Sequence, residues 1–307
     1  MSKYICTIIS KTPISPAQRD AWTSLASSLS VTVTSTKVLS DRAEDYTIQL
    51  PANLEFSALK AAVNPICLQE KIDVCLQPDN VFRRGKRLVV FDMDSTLIRQ
   101  EVIDMIAAYA DVEDRVSAIT ALAMNGEIDF NESLRRRASL LEGVPATVFE
   151  SLKSKIEITT GAIELCKVLK KEGYTLAVLS GGFIPLASWL KGQLGLDYAF
   201  ANTLEVSPDG TALTGKVLGD IVNAERKAHL LRQIAEEKSI ELQESMAVGD
   251  GANDLVMMGT AGYGVAWNAK PIVQAKAPAR LNTESLQDIL YILGYTLDEQ
   301  TALLGDS

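Results

Sequence analysis

A single histidine, His229, serves all 307 residues. That excludes a multi-histidine metal site and argues against a Ser–His triad. Its setting, KAHLLRQIAEE, reads as the surface or half-buried face of a helix. Cysteine is scarce too: Cys6, Cys67, Cys75 and Cys166 form no CxxC pair and lie among apolar neighbours, as reduced core thiols do. No apolar run reaches the roughly 18 residues that a transmembrane helix needs. The segment MSKYICTIIS is too short in apolar length, and too polar beyond it, for a secretory signal. Basic charge is in deficit, with 30 Lys and Arg against 39 Asp and Glu and a net charge of −9. A nucleic-acid binder needs a basic face, so that class is excluded. These absences predict a cytoplasmic protein with neither a nucleic-acid nor a membrane partner. Any anionic substrate must be met by a local positive site against the global field.

What is present is a 47% apolar composition, enough for a proper core, and one commanding stretch, LVVFDMDSTLI at 88–98. Leu88 to Phe91 read as a strand buried on both faces. Asp92 and Asp94 follow at once. Buried acids are costly unless paired or bound to a metal, and ligands of open parallel sheets bind at the carboxyl ends of strands. Alone, the stretch could be an acidic loop capping a helix. Two further apolar runs end the same way: Thr175–Leu179 in Ser180-Gly181-Gly182, and Met246–Val248 in Gly249-Asp250-Gly251-Ala252-Asn253-Asp254. Three such endings point to a site.

The rest of the chain arranges itself around that site. Residues 1–84 read as strand–helix–strand–strand–helix–strand, the ferredoxin-like order. The strands are expected at Tyr4–Ser10, Val31–Val38, Tyr46–Leu50 and Ile66–Leu76, with helices from Ser15-Pro16 and over Glu55–Val63; Gln77–Lys86 reads as a linker. Residues 85–307 alternate strand and helix, which predicts a mostly parallel sheet with helices on both faces. A helical block over about 99–155 is inserted after the first strand and reads as a cap that closes on substrate. Its helix Phe130–Leu141 carries Arg135, Arg136 and Arg137. The last strand is expected at Gly262–Trp267, and Asp209-Gly210 marks a hairpin.

These motifs resemble the haloacid dehalogenase superfamily: Asp92-x-Asp94-x-Thr96, Ser180, Lys227 and Gly249-Asp250-x-x-x-Asp254. The runs DMDSTLIRQEVID, MNGEIDFNESLRRRASLL, SGGF, NAERK and GDGANDL narrow the resemblance to the phosphoserine phosphatase family, over about residues 87–293. The resemblance implies a doubly wound α/β fold with an inserted cap, preceded by a small ACT-like α+β domain. It implies hydrolysis of O-phospho-L-serine through an aspartyl-phosphate, the last step of serine biosynthesis. A related phosphatase or phosphotransferase acting on another phosphoester is the alternative. A sensing protein with a dead core is a third reading, but none of Asp92, Asp94, Lys227 or Asp250 is missing.

In that family reading Asp92 is the nucleophile and Asp94 the proton donor and base. An anion approaching a phosphate faces repulsion on the order of 4 kcal/mol at 4 Å and an effective dielectric near 20. Mg²⁺, which favours one or two carboxylates, would be held by Asp92, Asp250 and the carbonyl of Asp94. Lys227, preferred on the resemblance over Lys216, adds positive charge, with Asp254 orienting it. Ser180 and Gly181 hold phosphoryl oxygens, Asn253 a water or substrate, and Thr96 and Gly182 support the site. Glu101 and Arg137 match a substrate ammonium and carboxylate, with Met124 and Phe130 lining the pocket. Asn253-Asp254 could instead cap a helix. The loop SKTPISPAQ holds no glycine, which argues against amino-acid feedback and leaves packing or homodimerisation to residues 1–84.

Overall fold

The computed structural model describes residues 3–305, with Met124 through its backbone alone, and sets two sheets side by side. The first is built from β1 (Lys3–Ser10), α1 (Pro16–Ser28), β2 (Thr32–Ser40), β3 (Ala43–Gln49), α2 (Phe56–Glu70) and β4 (Ile72–Pro78). Its order, β2-β3-β1-β4, is antiparallel throughout and ferredoxin-like. Ser15 opens α1 with a capping box to Gln18, and Pro16 stands in the first turn.

One expectation fails here. Ile66–Glu70 is helical, not strand, because α2 runs straight through Pro65. The proline removes one backbone bond, at a cost of about 3 kcal/mol. Leu59, Val63 and Cys67, four apart and all buried, keep one face of the helix in the core on both sides of it. The helix stops only at Lys71, whose φ of 54° is left-handed.

The second sheet begins with β5 (Leu88–Phe91). The cap helices α3 (Val102–Tyr109), α4 (Glu113–Met124), α5 (Phe130–Ser139) and α6 (Val148–Lys153) follow. Then come α7 (Ala162–Lys171), β6 (Thr175–Phe183), α8 (Ile184–Leu194), β7 (Tyr198–Val206), β8 (Leu213–Leu218), α9 (Ala224–Glu237), β9 (Ser245–Gly249), α10 (Leu255–Thr260), β10 (Tyr263–Trp267), α11 (Pro271–Lys276), β11 (Ala279–Leu281), α12 (Ile289–Ile292) and α13 (Leu297–Gly305). The order is β11-β10-β9-β5-β6-β7-β8, parallel except for the β7–β8 hairpin. Strand β11 lies beyond the last strand expected from sequence; at three residues it is too short to carry a period.

Strand β5 is fully buried because alternate residues feed opposite cores. Val89 and Phe91 join one apolar cluster, Leu88 and Val90 the other. The same arithmetic puts Asp92 at the carboxyl end of the central strand, between the ends of β6 and β9.

The cap is tied down at its far end. Leu213 N donates to Val144 O and Gly143 N to Leu213 O, each bond being 2.8–2.9 Å, and a bridge joins Pro145 to Ala212. Gly215 (φ +76°) passes so close to α5 that a Cβ would lie 3.1 Å from Ser139 Cα.

The stretch Gln77–Lys86, read as the linker, is exposed over Pro78–Val81 and at Arg84 and Gly85, but its two ends and Arg83 are tied into the body of the protein. Gln77 closes β4 and donates to Ile292 O at 2.8 Å, and Lys86 Nζ donates to Gln243 O. Arg83 lies between the two sheets, its side chain 13% exposed, paired with Asp45 at 2.8 Å. Ile9, Leu39, Ala43 and Cys75 of the first sheet share one apolar cluster with Leu286, Ile289–Leu293 and Tyr295, which follow β11.

Candidate active site

The turn after β5 is shaped by its own side chains. Asp92 Oδ1 accepts from Met93 N at 2.7 Å, Ile98 N returns to Met93 O at 3.0 Å, and Ser95 takes a left-handed φ of 56°. That places Asp92, Asp94 and Thr96 towards the end of β9, where Thr96 Oγ1 donates to Asp250 Oδ1 at 3.1 Å.

Lys227, from the first turn of α9, is wholly buried beneath them. Its Nζ lies 2.7 Å from both Asp92 Oδ1 and Asp254 Oδ1. Burial alone would drive the ammonium towards its neutral form; the two carboxylates outweigh it and hold the lysine above its ordinary value. Asp254 Oδ2 accepts from Gly251 N at 3.0 Å, so this aspartate both caps its turn and holds the lysine. Gly249 must lack a side chain: a Cβ there would sit 2.5 Å from Asp254 Cγ. Lys216 is far more exposed and pairs with Glu205.

Acids outnumber this cation. Burial first, then Asp254, pushes the Asp92 carboxyl well above its usual range against Lys227. Burial and Glu101 do the same to Asp94. Asp250 is raised to about 7 by burial and by Asp254. Asp94 Oδ1 is buried with no partner. One oxygen from each of Asp92, Asp250 and Asp254 falls within a 4.8 Å cluster. Asp254 is already spent on Lys227 and Gly251, leaving Asp92 and Asp250 to offer oxygens. Under-neutralised carboxylates of this kind fit a small, hard divalent cation. The Asp94 side chain stands outside the cluster.

A cavity of about 960 Å³ opens above them. Asp92, Asp94, Glu101, Phe130, Arg137, Gly181, Gly182, Asp250 and Asn253 line it. Ser180 does not; it is fully buried behind the glycines, its Oγ accepting from Gly182 N at 2.8 Å. Thr96, Lys227 and Asp254 form the layer beneath. Met124 ends α4, and its side chain lies outside the described residues. Phe130 reaches from the cap onto Gly181, where a Cβ would meet its ring at 2.9 Å.

Among the three consecutive arginines, Arg135 and Arg136 are exposed, and Arg136 pairs with Glu132 at 2.7 Å. Arg137 faces the cavity. Burial lowers its pKa from the ordinary arginine value, and Asp104, Glu101 and Asp94 oppose that only in part. Glu101 is exposed and accepts from Ser95 Oγ at 2.7 Å.

Among the lining residues that the reading of the sequence did not single out are Asp104 and Ser133. Asp104 stands three residues after Glu101, and Ser133 four before Arg137, each on the helical face of its neighbour. That spacing was the available signal. Ser133 is 1% exposed and its Oγ has no partner.

Comparison with known proteins agrees with this geometry. A family model described as haloacid dehalogenase-like hydrolase matches residues 86–262. The phosphoserine phosphatase of Saccharomyces cerevisiae is 49% identical over 97% of this chain and 98% of its own. A haloacid dehalogenase family hydrolase from Salmonella enterica serovar Typhi superposes with a TM-score of 0.81 at 30% identity, over 94% of this chain and 98% of its own. A phospho-aspartyl intermediate analogue of phosphoserine phosphatase matches at 46% identity with a TM-score of 0.63, over 67% of this chain and 98% of its own. With its strand-end acids, buried lysine and inserted cap, the chain belongs to the haloacid dehalogenase-like hydrolases and, within them, to the phosphoserine phosphatase family.

Proposed function

We propose that the chain hydrolyses O-phospho-L-serine to L-serine and phosphate through an aspartyl-phosphate on Asp92, with Mg²⁺ as its cofactor. One arrangement carries this reading. Lys227 is clamped between Asp92 and Asp254 beneath a cavity whose wall also holds Glu101 and Arg137. The phosphate, ammonium and carboxylate of the substrate thus each find an opposite charge.

Asp92 Oδ1 is committed to Lys227 and Met93 N, so Oδ2 is the attacking oxygen. As it bonds to phosphorus, the bond from phosphorus to the seryl oxygen breaks. Asp94, whose burial favours the protonated acid, gives its proton to that oxygen. The resulting carboxylate then takes a proton from the water that attacks the aspartyl-phosphate, which releases phosphate and restores Asp92. Gly181 N–H and Lys227 hold phosphoryl oxygens as charge develops, and Ser180, behind the cavity wall, fixes the glycine turn by accepting from Gly182 N. Arg137 grips the carboxylate, Glu101 the ammonium, and Ser133 Oγ, one turn from Arg137, donates to the same carboxylate. Phe130 excludes water, and Asn253 orients it. Thr96, Asp254 and Gly182 keep these groups in register. Asp92, Asp250 and the Asp94 carbonyl would hold Mg²⁺, which when bound supplies positive charge against the phosphoryl oxygens.

Residues 1–84 and 85–307 are taken as its two domains. Four free, buried cysteines support a reducing compartment, the cytoplasm. No helix among the described residues is long and apolar enough to cross a membrane. A homodimer is the assembly to look for by sedimentation.

Phosphate release from L-phosphoserine, set against sugar phosphates and nucleotides with and without chelator, tests the reading. A strong preference for phosphoserine, lost with chelator and restored by Mg²⁺, is expected. Preference for a sugar phosphate, or full activity in chelator, would overturn it.

A further inference from the structure

Lys270, Ile272 and Val273, on the loop after β10 and the start of α11, form a wall of the cavity that carries no catalytic group. Val273 and Ala269 anchor the segment in an apolar core, but Ile272 is 64% exposed on this lip and apolar packing does not orient it. A line of polar side chains does, and it leads out of the catalytic sheet. Gln274 Nε2 donates to Ala269 O at 2.6 Å and to Asn282 Oδ1 at 2.7 Å. Asn282 Nδ2 donates back to Gln274 Oε1 at 3.2 Å and onward to Asp73 Oδ1 at 2.7 Å; its backbone N donates to Asp73 Oδ2 at 2.5 Å. Asp73 belongs to β4 of the other sheet and is 5% exposed.

We propose that Asp73 is a positioning residue for the catalytic cavity: through Asn282 and Gln274 it sets the wall formed by Lys270, Ile272 and Val273. The argument is one of hydrogen-bond polarity. A carboxylate only accepts, as does the Ala269 carbonyl. With an acceptor at each end, only one orientation of the two amides satisfies the line. Asn282 turns its NH₂ to Asp73 and its oxygen to Gln274, and Gln274 turns its NH₂ to Ala269. Nearly isosteric Asp73→Asn breaks that order. The Asn282 backbone N–H claims the new amide's oxygen, so the new NH₂ faces the Asn282 side chain, which must flip. Gln274 flips with it and brings its oxygen against Ala269 O, where two acceptors repel. The change thus travels from the first sheet to the lip of the cavity without altering the size of any side chain.

The consequence for catalysis rests on the phosphoserine reading above. The wall holds none of the groups assigned to the phosphoryl transfer, so its displacement should weaken binding more than chemistry. In the full chain, Asp73→Asn should raise KM for O-phospho-L-serine about fivefold with kcat within twofold. Gln274→Leu should do the same, and the double variant should do no more than either, since both cut one line. Arg42→Met, which breaks the 2.9 Å pair with Asp288 elsewhere between the sheets, should lower the melting temperature and leave KM alone. Amide hydrogen exchange over 268–276 gives a readout that needs no substrate, and it should speed up in Asp73→Asn and Gln274→Leu only. Unchanged exchange there, unchanged KM, or additive effects in the double variant would overturn the proposal. Wild-type protein that fails to turn over phosphoserine while the exchange result holds would overturn the substrate reading instead.

Discussion

Two buried clusters of opposite charges sit in this molecule, and they are built on opposite principles. Around Arg83 the accounts balance. Its Nε donates to Ile292 O, its Nη1 to Asp45 Oδ2, and its Nη2 to Asp45 Oδ1, Thr7 Oγ1 and Tyr291 O, at 2.8–3.2 Å. Around Lys227 they do not. Asp92, Asp94, Asp250 and Asp254 crowd one ammonium, three of them with raised pKa values and one with an unpartnered oxygen. A satisfied cluster joins two sheets; an unsatisfied one is kept for what will bind there.

The sharpest way to break the comparison is Asp92→Asn. It keeps the size and removes the attacking charge, so phosphate release should fall about 10⁴-fold. Folding free energy in a denaturant melt should stay within about 1 kcal/mol, because Lys227 keeps Asp254 and one repelling acid is gone. Turnover within tenfold of wild type would rule out covalent catalysis by this residue. Arg83→Met should behave in the reverse manner. Stranding Asp45 costs about 3–5 kcal/mol of stability, read from the same melt, while kcat and KM of the folded protein stay within about twofold.

Lys86 is an intermediate case: a buried ammonium given only the Gln243 carbonyl. Burial lowers it to about 8, against weak help from Glu244. Below that value both folded and unfolded chains hold the proton and the folded one bears the cost. Between pH 8 and the unfolded value near 10.5, only the unfolded chain stays protonated, so wild-type stability gains with rising pH. Lys86→Met should therefore be more stable than wild type by about 2 kcal/mol at pH 7. The advantage should shrink as pH climbs through that window; a constant or growing advantage in melts at several pH values would refute it. The smallest effect is expected at Ser133→Ala. It deletes a buried hydroxyl with no partner in the free protein, so the melting point should not fall. If Ser133 donates to the substrate, KM should rise about fivefold, or about 1 kcal/mol. An unchanged KM would leave Ser133 without a role.

Much of this was legible beforehand, and particular residues show why. Leu88–Phe91 announced a strand by composition, Ser15-Pro16 a helix start, and Asp209-Gly210 a turn, because each obeys a rule that acts within a few residues. Pro65 shows the limit: the local rule said stop, and burial of Leu59, Val63 and Cys67 overrode it. Within the linker Gln77–Lys86 the composition did not show which residues turn inward: Gln77 and Arg83 do so because the Ile292 carbonyl and Asp45 come from far along the chain.

The amino-acid order by itself determined that Asp92 and Asp250 would follow the ends of buried strands, since that follows from patterns a few residues long. Only the tertiary structure decided that one lysine would lie 2.7 Å from both Asp92 and Asp254, which of three adjacent arginines would face the cavity, and that Asp73 of the other sheet would brace its wall. Those outcomes depend on strand order and on which surfaces meet, and no stretch of neighbouring residues contains either.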